Sequence, residues 1–272
     1  MTTTASTVPC LPAAEAGAWL RRLHGLLAIQ SLFVILVSLN RLGPWTLGEL
    51  SPFGFLRWVD FHNLLSLPLL SLVGLVLTWQ HLERGHGEAR RPRRLVELVF
   101  LLGLYLYGAG YGVHEVTNYL HARFCDPTPL DPKLCQIVIF NDDGFSHWVY
   151  FIGFSMTNAA LVVLQALLPF GHRLPRRDLL LLGANALLIG LGIFANLAFE
   201  EIGLDLWVVG LLATLSFWLW RRAGRQPLIV YYSLAYVLGW GGTTLYKLLT
   251  CPAAAPEPAP GHRSTGGPPK AM

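Results

Sequence analysis

The feature that most constrains this chain is a series of seven apolar stretches. Each is long enough to cross about 30 Å of hydrocarbon at a helical rise of about 1.5 Å per residue. They cover residues 18–40, 60–81, 95–121, 146–169, 178–199, 203–221 and 227–249. Only 13% of the 272 residues are charged, against roughly 25% in a soluble domain. We therefore predict an all-α, polytopic membrane protein that forms a bundle of seven transmembrane helices.

Composition divides the chain into three segments. Residues 1–17 are expected to form a short cytoplasmic segment, and residues 18–250 the transmembrane domain. Residues 251–272 are rich in proline and glycine and are predicted to be disordered, because such a segment cannot build a core. The connection near residues 200–204 is so short that we expect the fifth and sixth helices to form a tight antiparallel hairpin.

The distribution of basic residues predicts the orientation. Of the 20 Lys and Arg, thirteen fall on the side of the N-terminus and seven on the opposite side, which we call the outer side. The positive-inside rule then places the N-terminus inside and the C-terminus outside, in a plasma membrane or a bacterial inner membrane with lipids as neighbours. The formal charge of +4 is weak and scattered, which argues against a nucleic-acid partner. The sequence does not define an oligomeric state.

Uncommon polar residues gather at the outer ends of the helices. His62 begins the second stretch, His114 and His121 end the third, and His147 leads into the fourth. At 100° per residue, His114 and His121 share one stripe of their helix. Because polar groups are costly on a lipid-facing surface, we expect this stripe to face the bundle interior.

These residues suit a first-row metal ion. Imidazole and carboxylate ligands bind zinc or non-haem iron, and a nearby carboxylate can act as general base. We therefore predict a metal-dependent hydrolase that acts on a lipid or another amphiphile. The candidate metal ligands are His62, His114, His121 and His147. The candidate catalytic carboxylates are Glu115, Asp143 and Glu200.

Other interpretations remain open. Two histidines on different helices, such as His62 with His121 or His147, could bind a haem for electron transfer. Alternatively, Glu200 and its acidic neighbours could serve a non-enzymatic carrier or sensor of cations or protons. The polar residues could also be solvated or act as caps, and residues 141–143 are a suitable N-cap region for the fourth helix.

The cysteines indicate a disulfide in an outer loop. Cys125 and Cys135 bracket nine residues between the third and fourth stretches. A bond between them would hold this loop over the polar residues if the outer side is oxidising. Cys251 is an alternative partner on the same side.

The third stretch alternates glycines with tyrosines. Gly103, Gly108 and Gly110 lie among Tyr105, Tyr107 and Tyr111. We interpret this pattern mainly as close helix packing, with the lining of a cavity as the alternative role of the tyrosines.

With seven helices and a histidine-rich polar site, the chain resembles in architecture the alkaline ceramidase superfamily of membrane hydrolases. The resemblance covers the bundle and not the motifs. The paired histidines in the last helix of that superfamily have no counterpart, since residues 227–249 contain no histidine. We therefore transfer no catalytic residue from it.

Overall fold

The computed structural model describes residues 12–50, 52, 54–84, 91–125, 131–199 and 204–250. Seven helices in these ranges are long and apolar enough to cross a membrane. They are α1 (Ala13–Leu42), α2 (Trp58–Glu83), α3 (Arg91–Phe124), α4 (Pro132–Leu167), α5 (Arg176–Phe199), α6 (Leu204–Ala223) and α7 (Pro227–Thr250). The prediction of an all-α, seven-helix, multi-pass membrane protein is confirmed.

Several predicted boundaries change. Helix α1 begins at Ala13, inside the predicted segment 1–17, and residues 1–11 lie outside the described residues. The predicted disordered tail, residues 251–272, also lies outside them, as does Glu200.

Helix α4 begins fourteen residues before its predicted start. Asp131 caps it, because its Oδ1 accepts the N–H groups of Lys133 at 2.8 Å and Leu134 at 3.1 Å. Pro132 then occupies the first turn, where its missing N–H is harmless. Residues 141–143, interpreted as an N-cap, therefore lie inside a continuous helix.

Two helices contain a wide turn of π geometry near their outer ends. It covers His62–Ser66 in α2 and Phe140–Phe145 in α4. The N–H of Ser146 bonds to the carbonyl of Asn141, five residues earlier. An extra residue in a turn changes which side chains face the bundle. Asp142 is consequently 0% exposed, whereas Asp143 is exposed.

Helices α3 and α4 form a tight pair through glycines. A Cβ at Gly153 would lie 2.2 Å from the backbone nitrogen of Tyr107, and one at Gly110 would lie 2.4 Å from that of Tyr150. The glycine pattern therefore serves packing, as expected. The tyrosines divide between two roles, since Tyr107 lines the interior cavity and Tyr105 is 71% exposed.

The second half of the bundle is organised around α7. A Cβ at Gly190 of α5 would lie 3.1 Å from the carbonyl oxygen of Ala235, and one at Gly210 of α6 would lie 3.0 Å from the Trp240 indole nitrogen. The described parts of α5 and α6 thus both pack closely on α7 and make few contacts with each other, so they do not form the tight antiparallel hairpin that we expected.

Polar side chains connect α1 to α5. Ser31 donates a hydrogen bond to Asn185 at 2.7 Å, and His24 lies 2.8 Å from Asp178. Asn185 therefore faces a neighbouring helix. These contacts position α1 beside the interior cavity.

Candidate metal centre

The centre of the site is Asp142, in the wide turn of α4. Its Oδ1 lies 3.1 Å from Nδ1 of His114, and its Oδ2 lies 2.9 Å from Nδ1 of His121. Both histidines project from one face of α3, as their seven-residue spacing predicted. The α3–α4 pair thus brings two predicted ligands to a wholly buried carboxylate.

The contact between His114 and Asp142 is close but is not aligned as a hydrogen bond. Nδ1 of His114 and Oδ1 of Asp142 are both buried, and neither has a hydrogen-bond partner within the described part of the chain. Two ligands of one metal ion lie about 3.0 to 3.4 Å apart when each bond is about 2.1 Å long. The observed 3.1 Å fits this separation.

Asp143 and His147 flank this centre. In the described ranges, His121, Asp142 and Asp143 form a group whose ligand atoms all lie within 4.8 Å of one another. Nδ1 of His147 donates to the backbone carbonyl of Asp143 at 3.0 Å. The His147 and His114 rings have their centroids 4.6 Å apart. A third predicted histidine and a predicted carboxylate are therefore beside Asp142.

Glu115 lies next to the centre, and its carboxylate forms an ion pair with an arginine. Its Oε1 accepts a hydrogen bond from Nη2 of Arg41 at 2.5 Å, and the same Nη2 lies 3.5 Å from Nε2 of His114. The Glu115 carboxylate is buried and the Arg41 side chain is 40% exposed. This pair puts a guanidinium and a carboxylate, with no net charge between them, at the outer end of the site.

The structure places His62 in different surroundings. Its ring stacks on Trp58 with centroids 5.6 Å apart, and its Nδ1 lies 3.2 Å from Oγ of Ser66. The next residue, Asn63, points into the bundle instead, where it accepts a hydrogen bond from Asn40 at 2.8 Å. His62 is not a member of the group around Asp142.

The outer ends of α2 and α6 carry two further acidic groups. Asp60 accepts hydrogen bonds from the Arg57 guanidinium at 2.9 Å, and this pairing raises the pKa of Arg57. Asp205 is buried, and its Oδ1 accepts the N–H of Leu206 at 2.7 Å.

A disulfide joins Cys125 at the end of α3 to Cys135 in the first turns of α4. It closes the outer connection between the two helices that hold the site. His121 lies four residues before Cys125 and Asp142 seven residues after Cys135.

A cavity of about 400 Å³ lies in the bundle beside the site, which is within the usual range for a small-molecule site. Its described lining includes His114, Glu115 and His147 but not His121, Asp142 or Asp143. Its outer end is formed by Arg41, His114, Glu115 and His147. The wall below is mainly apolar and aromatic, and it includes Phe33, Val37, Tyr107, Tyr111, Tyr150, Phe154, Ile193, Val209 and Tyr236.

Comparison of the chain with protein-family models, with curated proteins and with solved structures gives no match. The resemblance to the alkaline ceramidase superfamily therefore stays a prediction, and the function must be argued from the site.

Sequence reasoning missed Asp142 and Arg41. A regular helix aligns Asp143 with His147, four residues later, and this is why Asp143 was selected. The wide turn instead buries Asp142 and leaves Asp143 exposed. No simple spacing rule in the sequence predicts such a turn. Arg41 was counted only as one of the seven basic residues on the outer side, although it lies one residue before the end of α1.

Proposed function

We propose that the protein is a metal-dependent membrane hydrolase that acts on a lipid or another amphiphile. The observation that carries this proposal is a buried aspartate within 3.1 Å of two histidines, one of which, His114, also lines a cavity with a mainly apolar wall. The donor set of two imidazoles and a carboxylate suits zinc or non-haem iron.

In this proposal His121 and Asp142 hold the metal ion together with His114, which lies 3.1 Å from Asp142 but outside the group of ligand atoms within 4.8 Å of one another. When bound, the ion polarises a carbonyl and makes a water molecule nucleophilic at neutral pH. The misaligned, buried atoms of His114 and Asp142 support this assignment, because an unsatisfied buried polar atom costs about 1 to 3 kcal/mol without a partner.

Asp143 is the best-placed general base. It is exposed, and its carboxylate is within 4.8 Å of the ligand atoms of His121 and Asp142. The water oxygen would bond to the acyl carbon while the bond to the alcohol or amine breaks. Asp143 would take a proton from the water and pass it to that leaving group.

Glu115 is better suited to positioning than to proton transfer. Its carboxylate is held by Arg41, and the pair lies at the outer end of the cavity, where the polar head of an amphiphile would bind. Arg41 would stabilise negative charge on that head group.

Metal analysis of purified protein tests the proposal. We expect about one zinc or iron per chain, because the ligand atoms of His121, Asp142 and Asp143 all lie within 4.8 Å of one another. Asp142→Asn should reduce the metal content to background, since an amide is a poor substitute for a carboxylate ligand. His62→Ala is the matched control at the same outer end, and it should retain the metal.

Folded wild-type protein without stoichiometric metal would refute the proposed centre. The visible spectrum of the same sample tests the haem alternative, because bound haem gives a Soret band. Metal binding without ester or amide hydrolysis, together with cation or proton transport, would favour the carrier.

A further inference from the structure

We propose that the cavity opens sideways into the bilayer between the outer halves of α1 and α5, and that its amphiphile enters through this opening from the outer leaflet. We call the gap bordered by Ser38, Arg41 and Ala195 the lateral opening. That the entering molecule is then hydrolysed rests on the proposed function. The opening itself rests on the exposure of the cavity wall.

Exposure of the cavity wall is limited to two helices. Among the described lining residues, the exposed ones are Ser38 and Arg41 of α1 and Ala195 of α5. The described lining residues of α2, α6 and α7 are all buried, so the cavity is closed on those sides. The wall therefore meets the surroundings of the protein between α1 and α5.

The inner halves of α1 and α5 are joined to each other. Ser31 donates a hydrogen bond to Asn185 at 2.7 Å, and a Cβ at Gly192 would lie 3.0 Å from Cγ1 of Val34. The residues that border the lateral opening all follow Val34 or Gly192 along helices that both run outward. Two of the three bordering side chains are a hydroxymethyl and a methyl group, which fill little of the gap.

The lateral opening lies at the level of the hydrocarbon. Ser38 and Ala195 each precede the last residue of their helix by four positions, which is about 6 Å along the axis, and both belong to candidate membrane spans. Beside them, Leu39 is 47% and Leu191 is 54% exposed, as expected of side chains that face lipid. An opening bordered in this way leads into the bilayer.

Arg41 supplies the polar border of the lateral opening. It follows Ser38 by three residues, or about 4.5 Å along the helix, and its guanidinium pairs with Glu115. The head of an amphiphile in the outer leaflet lies outward from its tail, so the head would pass Arg41 while the tail passes Ser38 and Ala195. The head then need not cross hydrocarbon, which is costly for a polar group.

The test measures alkylation of a thiol inside the cavity, with the full chain in nanodiscs. Val209 of α6 is buried and lines the cavity, and Val209→Cys introduces a reporter thiol of similar size. Cys10→Ser and Cys251→Ser remove the cysteines outside the disulfide. One reagent, N-dodecylmaleimide, is dissolved in the bilayer, whereas the other, a sulfonated maleimide, is confined to water.

Each reagent has its own reference thiol. Leu69→Cys serves for the alkyl reagent, because Leu69 is 61% exposed on α2. Gly48→Cys serves for the sulfonated reagent, because Gly48 is exposed in the outer loop and nothing lies within 4 Å of an added Cβ. Relative to these references, the reporter should react at least about tenfold faster with the alkyl reagent, because a sulfonate is costly to bring into an apolar passage.

Ala195→Trp places an indole in the lateral opening and should slow the alkyl reaction of the reporter by at least about tenfold. Leu191→Trp is the matched control and should leave the rate unchanged. Leu191 lies one turn earlier on the same helix and is exposed, and it is not among the described lining residues. If Ala195→Trp does not fold, the comparison of the two reagents on the reporter still decides.

A sulfonated reagent that reaches the reporter as readily as the alkyl reagent would overturn the lateral opening and show entry from water. An alkyl reaction that is equally fast with Ala195→Trp and Leu191→Trp would overturn it too, as would a reporter that neither reagent reaches.

Metal analysis of the same protein separates this proposal from the proposed function. Alkylation with the expected dependence in protein without metal would keep the lateral opening and remove the hydrolase. Stoichiometric metal together with entry from water would keep the metal centre and remove the lateral opening.

Discussion

Two tyrosines of the cavity wall differ in how their hydroxyl groups are satisfied. Tyr107 donates to Ser71, whereas the hydroxyl of Tyr236 is buried and has no partner within the described ranges. Deleting a satisfied hydroxyl leaves its partner unpaired, whereas deleting an unsatisfied one removes a desolvation penalty.

We therefore expect Tyr107→Phe to lower the free energy of unfolding by about 1 kcal/mol. Tyr236→Phe should leave the stability unchanged or raise it. Thermal unfolding of the two variants in one detergent measures the difference. A Tyr236→Phe variant that unfolds as early as Tyr107→Phe would show that its hydroxyl has a partner.

At the scale of single residues, the sequence predicted the histidines of the site but not its central carboxylate. His114 and His121 were assigned correctly to one face of α3, because a regular helix fixes angles from spacing alone. The carboxylate between them was not found. The wide turn buries Asp142 and exposes Asp143, and such a turn depends on packing against neighbouring helices as well as on local sequence.

At the scale of elements, the site depends on the closeness of α3 and α4. His114 and His121 lie on one helix and Asp142 on the other. Among the described glycines of this pair, Gly153 leaves the least room, because a Cβ there would lie 2.2 Å from a backbone nitrogen of α3.

Gly153→Ala should therefore force the two helices apart and destabilise the protein by about 1 to 3 kcal/mol. It should also weaken metal binding. Gly112→Ala is the control on α3, because nothing lies within 4 Å of its added Cβ. That change should be neutral or stabilising by up to about 1 kcal/mol, and equal effects of the two variants would contradict the packing argument.

Helix number and type followed from the length of the apolar stretches, whereas some boundaries and neighbours did not. The start of α4 was missed because Asp131 and Pro132 follow a polar loop and precede only a short apolar run. The packing of α5 and α6 on α7 was missed because a short connection limits where two helices meet without fixing the contact between them.

At the scale of the whole molecule, six of the seven helices bring polar groups to one end of the bundle. One polar group from each of these helices is Arg41, Asn63, His114, Asp142, Asp205 or Lys247, in chain order. Because successive helices run in opposite directions, the end of one helix and the start of the next lie at the same face of the bundle. The side of the membrane on which this end lies remains the prediction made from the basic residues, and the disulfide offers a way to test it.

The Cys125–Cys135 disulfide should form in the native membrane only if the outer end faces an oxidising compartment. Alkylation of these thiols should therefore require prior reduction. Replacing both cysteines by serine should cost about 2 to 4 kcal/mol of stability, measured by thermal unfolding. Cys251→Ser should have no such effect, and free thiols at Cys125 and Cys135 in freshly isolated membranes would contradict the orientation.

The described groups of the proposed metal centre come from α3 and α4, whereas all seven helices contribute to the cavity wall. The groups of the proposed centre are therefore confined to two helices, whereas the cavity wall is not. Substitutions in the wall on α1, α2, α5, α6 or α7 would change the shape of the cavity without changing the groups of the proposed centre. In the proposed function, such a chain would acquire new substrates through changes in its wall while its metal-binding residues stay the same.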